Sequence, residues 1–296
     1  MAMQKQQSTI QTLGVVAISY NEERDLPGFI DHLLPWVDEI VIVDDGSSDR
    51  TADIAAAGGD KMKFLVLPRG EGEYFSHQRN KGIDAAESDW LLHMDIDERV
   101  PPDLAHEIQG AILDGSKDAY RYRRLNYFLH RPMQGGGWQS WNLVHLARRD
   151  IFRFGGMYHE DCLVDTTDER VGQMGCKMWH LNDDTYLERM QKSNLYCQEQ
   201  AVRLKEKGVQ VRWWHLLLLP CREFISKFLM KSGYKDGSLG LLFALHSGSA
   251  VFRACALLWD EQNQVAREGI ERELKSDWER CRCVIEAQVD ELDELR

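Results

Sequence analysis

Between Leu13 and Met94, short apolar runs alternate with stretches whose apolar residues recur at helical spacing. The runs are Val15-Val16-Ala17-Ile18, Ile40-Val41-Ile42-Val43, Phe64-Leu65-Val66-Leu67 and Trp90-Leu91-Leu92, each the length of a buried strand. Between them, Leu26 to Leu34 places Phe29, Ile30, Leu33 and Leu34 on one face, Thr51 to Ala57 follows a turn, and Ser76 to Ala86 opens on a serine able to cap a helix. This alternation predicts βαβ units and an α/β, Rossmann-like, mostly parallel sheet flanked by helices. Beyond Pro101-Pro102 the pattern predicts a helix to about Leu113. A long strand follows from Ala119 to Leu129, and a further strand from Leu143 to Ala147. The cluster Gly135-Gly136-Gly137 interrupts the pattern and predicts a mobile loop, with Trp138 and Trp141 beside it offering ring faces or core packing. After His180 the spacing becomes helical to the end. The chain thus divides into a flexible 1–12, an α/β domain over 13–182 and an α-helical C-terminal extension over 183–296.

Polar residues collect just after the strands: Tyr20-Asn21-Glu22-Glu23, Asp44-Asp45-Gly46-Ser47-Ser48-Asp49 and Asp95-Ile96-Asp97-Glu98. In an open parallel sheet the carboxyl ends of the strands form the ligand crevice, so three acidic loops are expected around one site. Alternation turns Asp95 and Asp97 to the same side. Such a pair suits a hard divalent cation, Mg²⁺ or Mn²⁺, that also takes phosphate oxygens and neutralises a departing diphosphate. A solvated acidic turn is the competing explanation. Asp44-Asp45 fits either a ribose or base acceptor or an Asx turn with Gly46. Tyr20 fits either a stacking platform for a base or a cap on the core.

The 296 residues carry a formal charge of -12, the wrong balance for neutralising nucleic-acid phosphates despite the local cluster Arg121, Arg123 and Arg124. Seven cysteines without metal-ligand spacing suit a reducing compartment. The polar stretch from Met1 to Thr12 lacks the apolar centre of a secretion signal and predicts a cytoplasmic location. Leu239 to Trp259 approaches membrane length but is broken by His246, Ser247, Gly248, Ser249 and Arg253, which favours a buried or interfacial helix. Lys227, Lys231 and Lys235 beside Phe224, Phe228 and Leu229 fit peripheral contact with an anionic membrane face, and equally an ordinary helix with a solvated lysine edge. The charged stretch from Asp260 to Arg296 has apolar residues at Val265, Ile270, Leu274, Trp278 and Ile285, which either pack on the domain or join two copies in a homodimer.

Several short motifs occur in one order: SYNEE (Ser19 to Glu23), VDDGSSDRT (Val43 to Thr51), HQRNKGIDAAESDWLLHMDIDERV (His77 to Val100), Asn126-Tyr127-Phe128-Leu129, Gly136-Gly137-Trp138 and YHED (Tyr158 to Asp161). Together they resemble the inverting family 2 glycosyltransferases of GT-A fold, and within them the branch containing lipopolysaccharide-core β-1,4-glucosyltransferases. The tail, Lys227 to Trp259, resembles the same branch. The resemblance implies a nucleotide sugar, by default a UDP-sugar, as donor, a divalent metal, and a glycan or lipid-linked acceptor. It implies that Tyr20, Glu22, Asp44 and Asp45 hold the nucleoside and that Arg79 and Asn80 lie near the diphosphate or ribose. It also implies that Asp95 contacts ribose, donor sugar or metal, that Asp97 binds the metal, and that His180 is a further metal ligand. Trp138, read from its own residue type, fits sugar stacking and core packing equally. Inversion needs one carboxylate opposite the leaving diphosphate to take the acceptor's proton. Glu160 matches that base in the nearest branch, Asp161 elsewhere in the family, and Glu160 is preferred. Two other readings share many of these letters: a polyprenyl-phosphate glycosyltransferase, and an inactive sugar-nucleotide or glycan-binding module. A DxDxT phosphatase is disfavoured by Arg99, where threonine or valine is required.

Overall fold

In the computed structural model of the chain the described residues are 11–156 and 161–294, with the side chains of Asp161 and of 290–294 outside the description. The N-terminal stretch 1–10 and the segment Tyr158-His159-Glu160 therefore lie outside the described residues.

The first half runs β1 (Leu13–Ser19), α1 (Leu26–Leu33), β2 (Glu39–Asp44), α2 (Thr51–Ala56), β3 (Met62–Val66), α3 (Phe75–Ala85), β4 (Trp90–His93), β5 (Glu98–Arg99) and α4 (Pro102–Asp114). Then come β6 (Ala119–Phe128), β7 (Arg131–Pro132), β8 (Asn142–Arg148), β9 (Phe152–Gly155), β10 (Asp161–Val164), β11 (Val171–Asp183), α5 (Tyr186–Glu206), α6 (Trp213–Ile225), α7 (Gly237–Asn263) and α8 (Arg267–Glu294). One nine-stranded sheet has the order β3-β2-β1-β4-β8-β6-β11-β5, with β7 on β6; β9 and β10 form a separate hairpin.

The four strands read from the apolar runs pair in parallel. Beyond β4 the sheet is mixed: β8 is antiparallel to β4 and β6, β11 parallel to β6, and β5 antiparallel to β11. Strands β1, β2 and β4 are buried on both faces, as helix-covered strands must be, while the edge strand β3 is only half-buried. One core, with Val15, Phe29, Ile42, Trp90 and Tyr122, lies beneath α1 and α4; a second, with Val16, Val41, Ile83 and Phe152, lies beneath α3. Helix α3 sits so close that a Cβ on Gly82 would stand 2.5 Å from Val16 Cγ1. That seating aims the first turns of α3 at the carboxyl ends of the strands.

The triglycine segment is packed rather than mobile. A Cβ on Gly135 would lie 2.3 Å from the carbonyl oxygen of Ser232. The amides of Gln134 and Gly135 donate to the two oxygens of Asp236 at 2.8 and 2.7 Å, and Gly136 N–H donates to the Lys231 carbonyl at 2.9 Å. These glycines permit close backbone approach between the segment after β7 and residues 231–236.

By compactness the chain forms two units. The first contains residues 1–191 and 224–245, so 224–245 group with the α/β domain; the second contains 192–223 and 246–296. The second unit has its own core at Ala201, Val211, Cys255 and Leu258, where Gln262 accepts from Val211 N–H and donates to the Val209 carbonyl. The segment Gly233–Asn263 is long and apolar enough to cross a membrane, with 39% of its most apolar window buried, a property that core helices share.

Candidate active site

Two groups of side chains form at the carboxyl ends of the parallel strands. The first is a recess lined by Ser19, Tyr20, Glu22, Asp45, Arg69, Phe75 and Gln78. Tyr20 is 59% exposed, which makes it a wall of this recess and not a cap on the core. The neighbouring aspartates divide the two roles that their sequence left open. Asp44 is buried and closes an Asx turn, accepting from Ser19 and Ser47 hydroxyls and from Gly46 and Ser47 N–H groups. Asp45 faces the recess, where Arg69 donates to it from its backbone N–H and from Nε, each at 2.7 Å. Burial alone would raise the Asp45 pKa; the Arg69 amide and guanidinium outweigh it and hold the carboxylate below its ordinary range. The Arg69 guanidinium lies 4.2 Å from the Phe75 ring centroid. Gln78 donates to the Leu67 carbonyl at 2.5 Å and to Asp45 at 3.2 Å, and its buried Oε1 has no partner among the described residues.

The second group is built on the turn after β4. Asp95, Asp97 and His180 each offer an oxygen or nitrogen donor within 4.8 Å of the others. Residues so far apart meet because β5 pairs with β11, setting His180 opposite Glu98, and because Leu181 N–H donates to the Asp97 carbonyl at 2.9 Å. The parallel register of β11 on β6 sets His180 opposite Asn126. His180 Nδ1 lies 2.9 Å from Asn126 Oδ1, which as an acceptor assigns Nδ1 the proton and leaves Nε2 as the nitrogen that could bind a metal, 3.2 Å from Asp97 Oδ2. In a neutral ring, that nitrogen lone pair faces a carboxylate oxygen across a gap that a proton or a cation would fill. Two carboxylates and an imidazole suit Mn²⁺ and Mg²⁺, with positions left for phosphate and water.

Asp95 is held by two arginines: Arg79 Nη2 donates to Oδ1 and Arg124 Nη2 to Oδ2, each at 2.8 Å. Burial would raise its pKa, but these two charges win and keep it ionised far below the usual carboxylate range. Arg124 also donates to the fully buried Glu98 at 2.5 Å, and Glu98 Oε2 accepts from Asp95 N–H at 2.9 Å, closing the turn. Burial, helped by the Asp95 charge, raises the Glu98 pKa. The Trp141 ring covers the Arg124 guanidinium at 3.9 Å. Arg79 is adjacent to Gln78 on α3, so consecutive residues of one helix reach Asp95 and Asp45 and tie the two groups together.

Asn80 uses both ends of its amide on the Phe154 backbone, at 2.8 and 2.9 Å, and so fastens β9 to α3. Trp138 is half-buried, 4.5 Å from the Phe243 ring, in a cluster with Phe128 and Met133. Glu160 lies outside the described residues; Asp161 opens β10 with its backbone opposite Gly155. Glu98, Arg124, Asn126, Arg69 and Gln78 were not anticipated as site residues. A wider hollow at the amino-terminal edge of the sheet, lined by Thr12, Glu39, Lys63 and Glu87, has charges that satisfy one another, and it lies at the wrong end of the strands for a ligand crevice.

His180 supplies a pH prediction. Burial lowers its pKa, but the hydrogen bond to Asp97 and that residue's charge overcome this and raise it above the ordinary 6.5. Without a cation, its stabilising contribution is whole below about pH 6.5 and fades as pH rises through the folded value. A cation needs Nε2 unprotonated, so it competes with that proton. The stabilisation by Mn²⁺ in thermal unfolding is expected to grow from about pH 5.5 to about pH 8 in the native protein, and to be flat over that range in His180→Gln.

A sequence profile described as glycosyl transferase family 2 matches residues 14–161. The lipopolysaccharide core biosynthesis glycosyltransferase LpsC of Rhizobium meliloti is 24% identical over 270 residues, 88% of this chain and 96% of that protein. An undecaprenyl-phosphate 4-deoxy-4-formamido-L-arabinose transferase of Edwardsiella ictaluri is 28% identical over 43% of this chain and 44% of that one. A TPR repeat-containing protein of Synechococcus elongatus is 32% identical over 49% of this chain. The chain spans 33% and 44% of the lengths of the Synechococcus and Edwardsiella proteins.

Proposed function

The chain belongs to glycosyl transferase family 2, and we propose that it moves a hexose from a UDP-sugar to a hydroxyl of a glycan or lipopolysaccharide-core acceptor, with inversion at the anomeric carbon. The observation that carries this is the Asp95, Asp97 and His180 donor set beside the Asp45 recess, joined through Gln78 and Arg79. The recess would take the nucleoside: Tyr20 offers a ring face, Asp45 an ionised acceptor for a base N–H, and Glu22 an acceptor for ribose. A uracil imide N–H meets such an acceptor.

Asp97 and His180 would hold the cation, with Asp95 turned to the donor between its two arginines. A bound Mn²⁺ or Mg²⁺ supplies Lewis-acid neutralisation of the leaving diphosphate. Arg79 and Arg124 keep Asp95 ionised and its two oxygens oriented. Asn80 fastens β9, the strand that leads into the segment carrying the base, and would act by positioning. Glu160 is the preferred base: Glu160→Gln is expected to keep nucleotide binding and lose transfer by about a hundredfold or more, the scale of lost general-base catalysis. If Asp161→Asn alone does so, the base is Asp161. Trp138, packed against Phe243, would contribute one ring face to the sugar side.

Screening nucleotide sugars with Mn²⁺ for turnover, and following the product anomer by NMR, tests the proposal. Inverted product from a UDP-sugar supports it; no metal-dependent turnover with any nucleotide sugar overturns it. A lipid-phosphate acceptor is a second reading, prompted by the undecaprenyl-phosphate transferase among the relatives. The near full-length match to LpsC, C-terminal region included, favours the glycan acceptor. Formation of a glycosyl polyprenyl phosphate in preference to a glycan would reverse that choice.

A further inference from the structure

His93 closes β4, two residues before Asp95, and is fully buried. Its ring stands among other rings: Phe154 at 4.5 Å between centroids, Phe152 at 6.2 Å and His145 at 6.3 Å. An imidazole in so dry a place costs free energy that an apolar side chain would not, unless its nitrogens are used. Nδ1 lies 3.1 Å from Arg79 Nη1; a guanidinium can only donate, so Nδ1 is the bare acceptor and the ring proton sits on Nε2. Nε2 is buried and has no hydrogen-bond partner among the described residues. The ring thus bears a penalty at one nitrogen, and the contact of the other with Arg79 is what distinguishes histidine from an apolar residue at this position.

Arg79 reaches two acceptors on one short segment: Nη1 meets His93, and Nη2 meets Asp95 Oδ1 at 2.8 Å. A planar guanidinium held at both Nη groups cannot turn in place, so the acceptor on His93 sets the direction from which Nη2 approaches Asp95. His93 is itself fixed. Its carbonyl accepts from the Tyr122 hydroxyl at 3.1 Å, and β4 is paired on both sides, with β1 and β8. We propose that His93 is a positioning residue for the donor site: through Nδ1 it fixes the Arg79 guanidinium, and through Arg79 the carboxylate of Asp95. The proposal rests on the reading of Asp95 as a group turned to the donor. Arg124 holds the other oxygen of Asp95, so loss of the His93 acceptor leaves that carboxylate paired but firmly aimed by one arginine instead of two.

The test reads the affinity of the full chain for UDP in the presence of Mn²⁺, by calorimetry. Leucine is close to histidine in size and has no acceptor; asparagine is smaller, but its Oδ1 stands where Nδ1 does. His93→Leu is expected to weaken UDP binding about tenfold, the scale of one hydrogen bond to a charged group, and His93→Asn by less than about threefold. If the ring only fills space, that order reverses, because asparagine leaves the larger hole between Phe152 and Phe154. Adding His93→Leu to Arg79→Met is expected to cost less than about twofold more, since the contact is already gone, whereas a merely structural loss would add in full. In the native protein, nitrogen NMR shifts of the His93 ring, assigned by their absence from His93→Asn, are expected to show a bare Nδ1 and a protonated Nε2. Asp95→Asn separates the proposal from the reading beneath it. If Asp95→Asn binds UDP as the native chain does, the donor role of Asp95 fails and the proposal with it. If Asp95→Asn is impaired while His93→Leu binds like the native chain, the proposal alone is overturned. It is overturned as well if His93→Asn is the weaker binder of the two His93 variants, if the double variant is additive, or if the proton is found on Nδ1.

Discussion

Asp97→Ala is expected to lower sugar transfer by at least about a hundredfold at saturating donor while leaving the fold in place, because it removes one charged ligand from the proposed three-residue cation site. The side chain of Asp97 is partly exposed and has one described contact, the 3.2 Å approach to His180. The bond that joins the turn to β11 comes from the Asp97 carbonyl, which the substitution keeps. Loss of the carboxylate also removes the main influence that raises the His180 pKa, so the histidine in the variant should titrate lower. Turnover across a Mn²⁺ titration separates the two ways of failing. A higher metal requirement with partial recovery at high Mn²⁺ marks a ligand, whereas a loss that no metal concentration moves marks a group that acts directly on the donor.

Arg124→Met is expected to cost about 3 to 5 kcal/mol of stability, the range for removing one partner of a buried ion pair. That loss corresponds to a fall in melting temperature of roughly 6 to 20 °C for a domain of this size. Arg124 bridges Asp95 and the fully buried Glu98, and without it Glu98 loses its ion pair. Since the Glu98 pKa is already raised by burial, the variant should recover part of its stability as pH falls and that carboxyl takes up a proton. Arg124→Lys is expected to be intermediate, because an ammonium keeps the charge but does not present the planar fork that reaches both carboxylates. Thermal unfolding from about pH 5 to about pH 8 reads all of this. A melting temperature within a degree of the native one would mean that the pair contributes nothing net.

The parallel half of the sheet was legible because its strands are uninterrupted aliphatic runs, and the acidic loops after them were legible because such sheets bind at those ends. Strand β11 was not, although it carries His180. Its inward positions Gly172, Met174, Cys176 and Met178 alternate correctly, but glycine, methionine and cysteine give a weak strand signal. Without β11, the pairing with β5 that brings His180 to Asp97 could not be foreseen from spacing. Arg124 and Asn126 left a readable trace. They continue the inward series Tyr120, Tyr122, Phe128 on β6, and a polar residue at a buried-face position calls for a partner inside. The local basic cluster in the sequence, Arg121, Arg123 and Arg124, hid this, since only Arg124 turns inward. The triglycine segment misled for a related reason: glycine marks freedom and close approach with the same letter, and only the neighbouring backbone of residues 232–233 tells them apart.

The most direct test of the cation site is electron paramagnetic resonance of Mn²⁺ titrated into the protein with UDP present. Native chain is expected to quench the free-ion signal up to one Mn²⁺ per chain, with Asp97→Ala and His180→Gln quenching little at the same concentrations. Equal uptake of Mn²⁺ by Asp97→Ala and by the native protein would contradict the assignment of Asp95, Asp97 and His180 as the site that holds the leaving diphosphate's counter-ion.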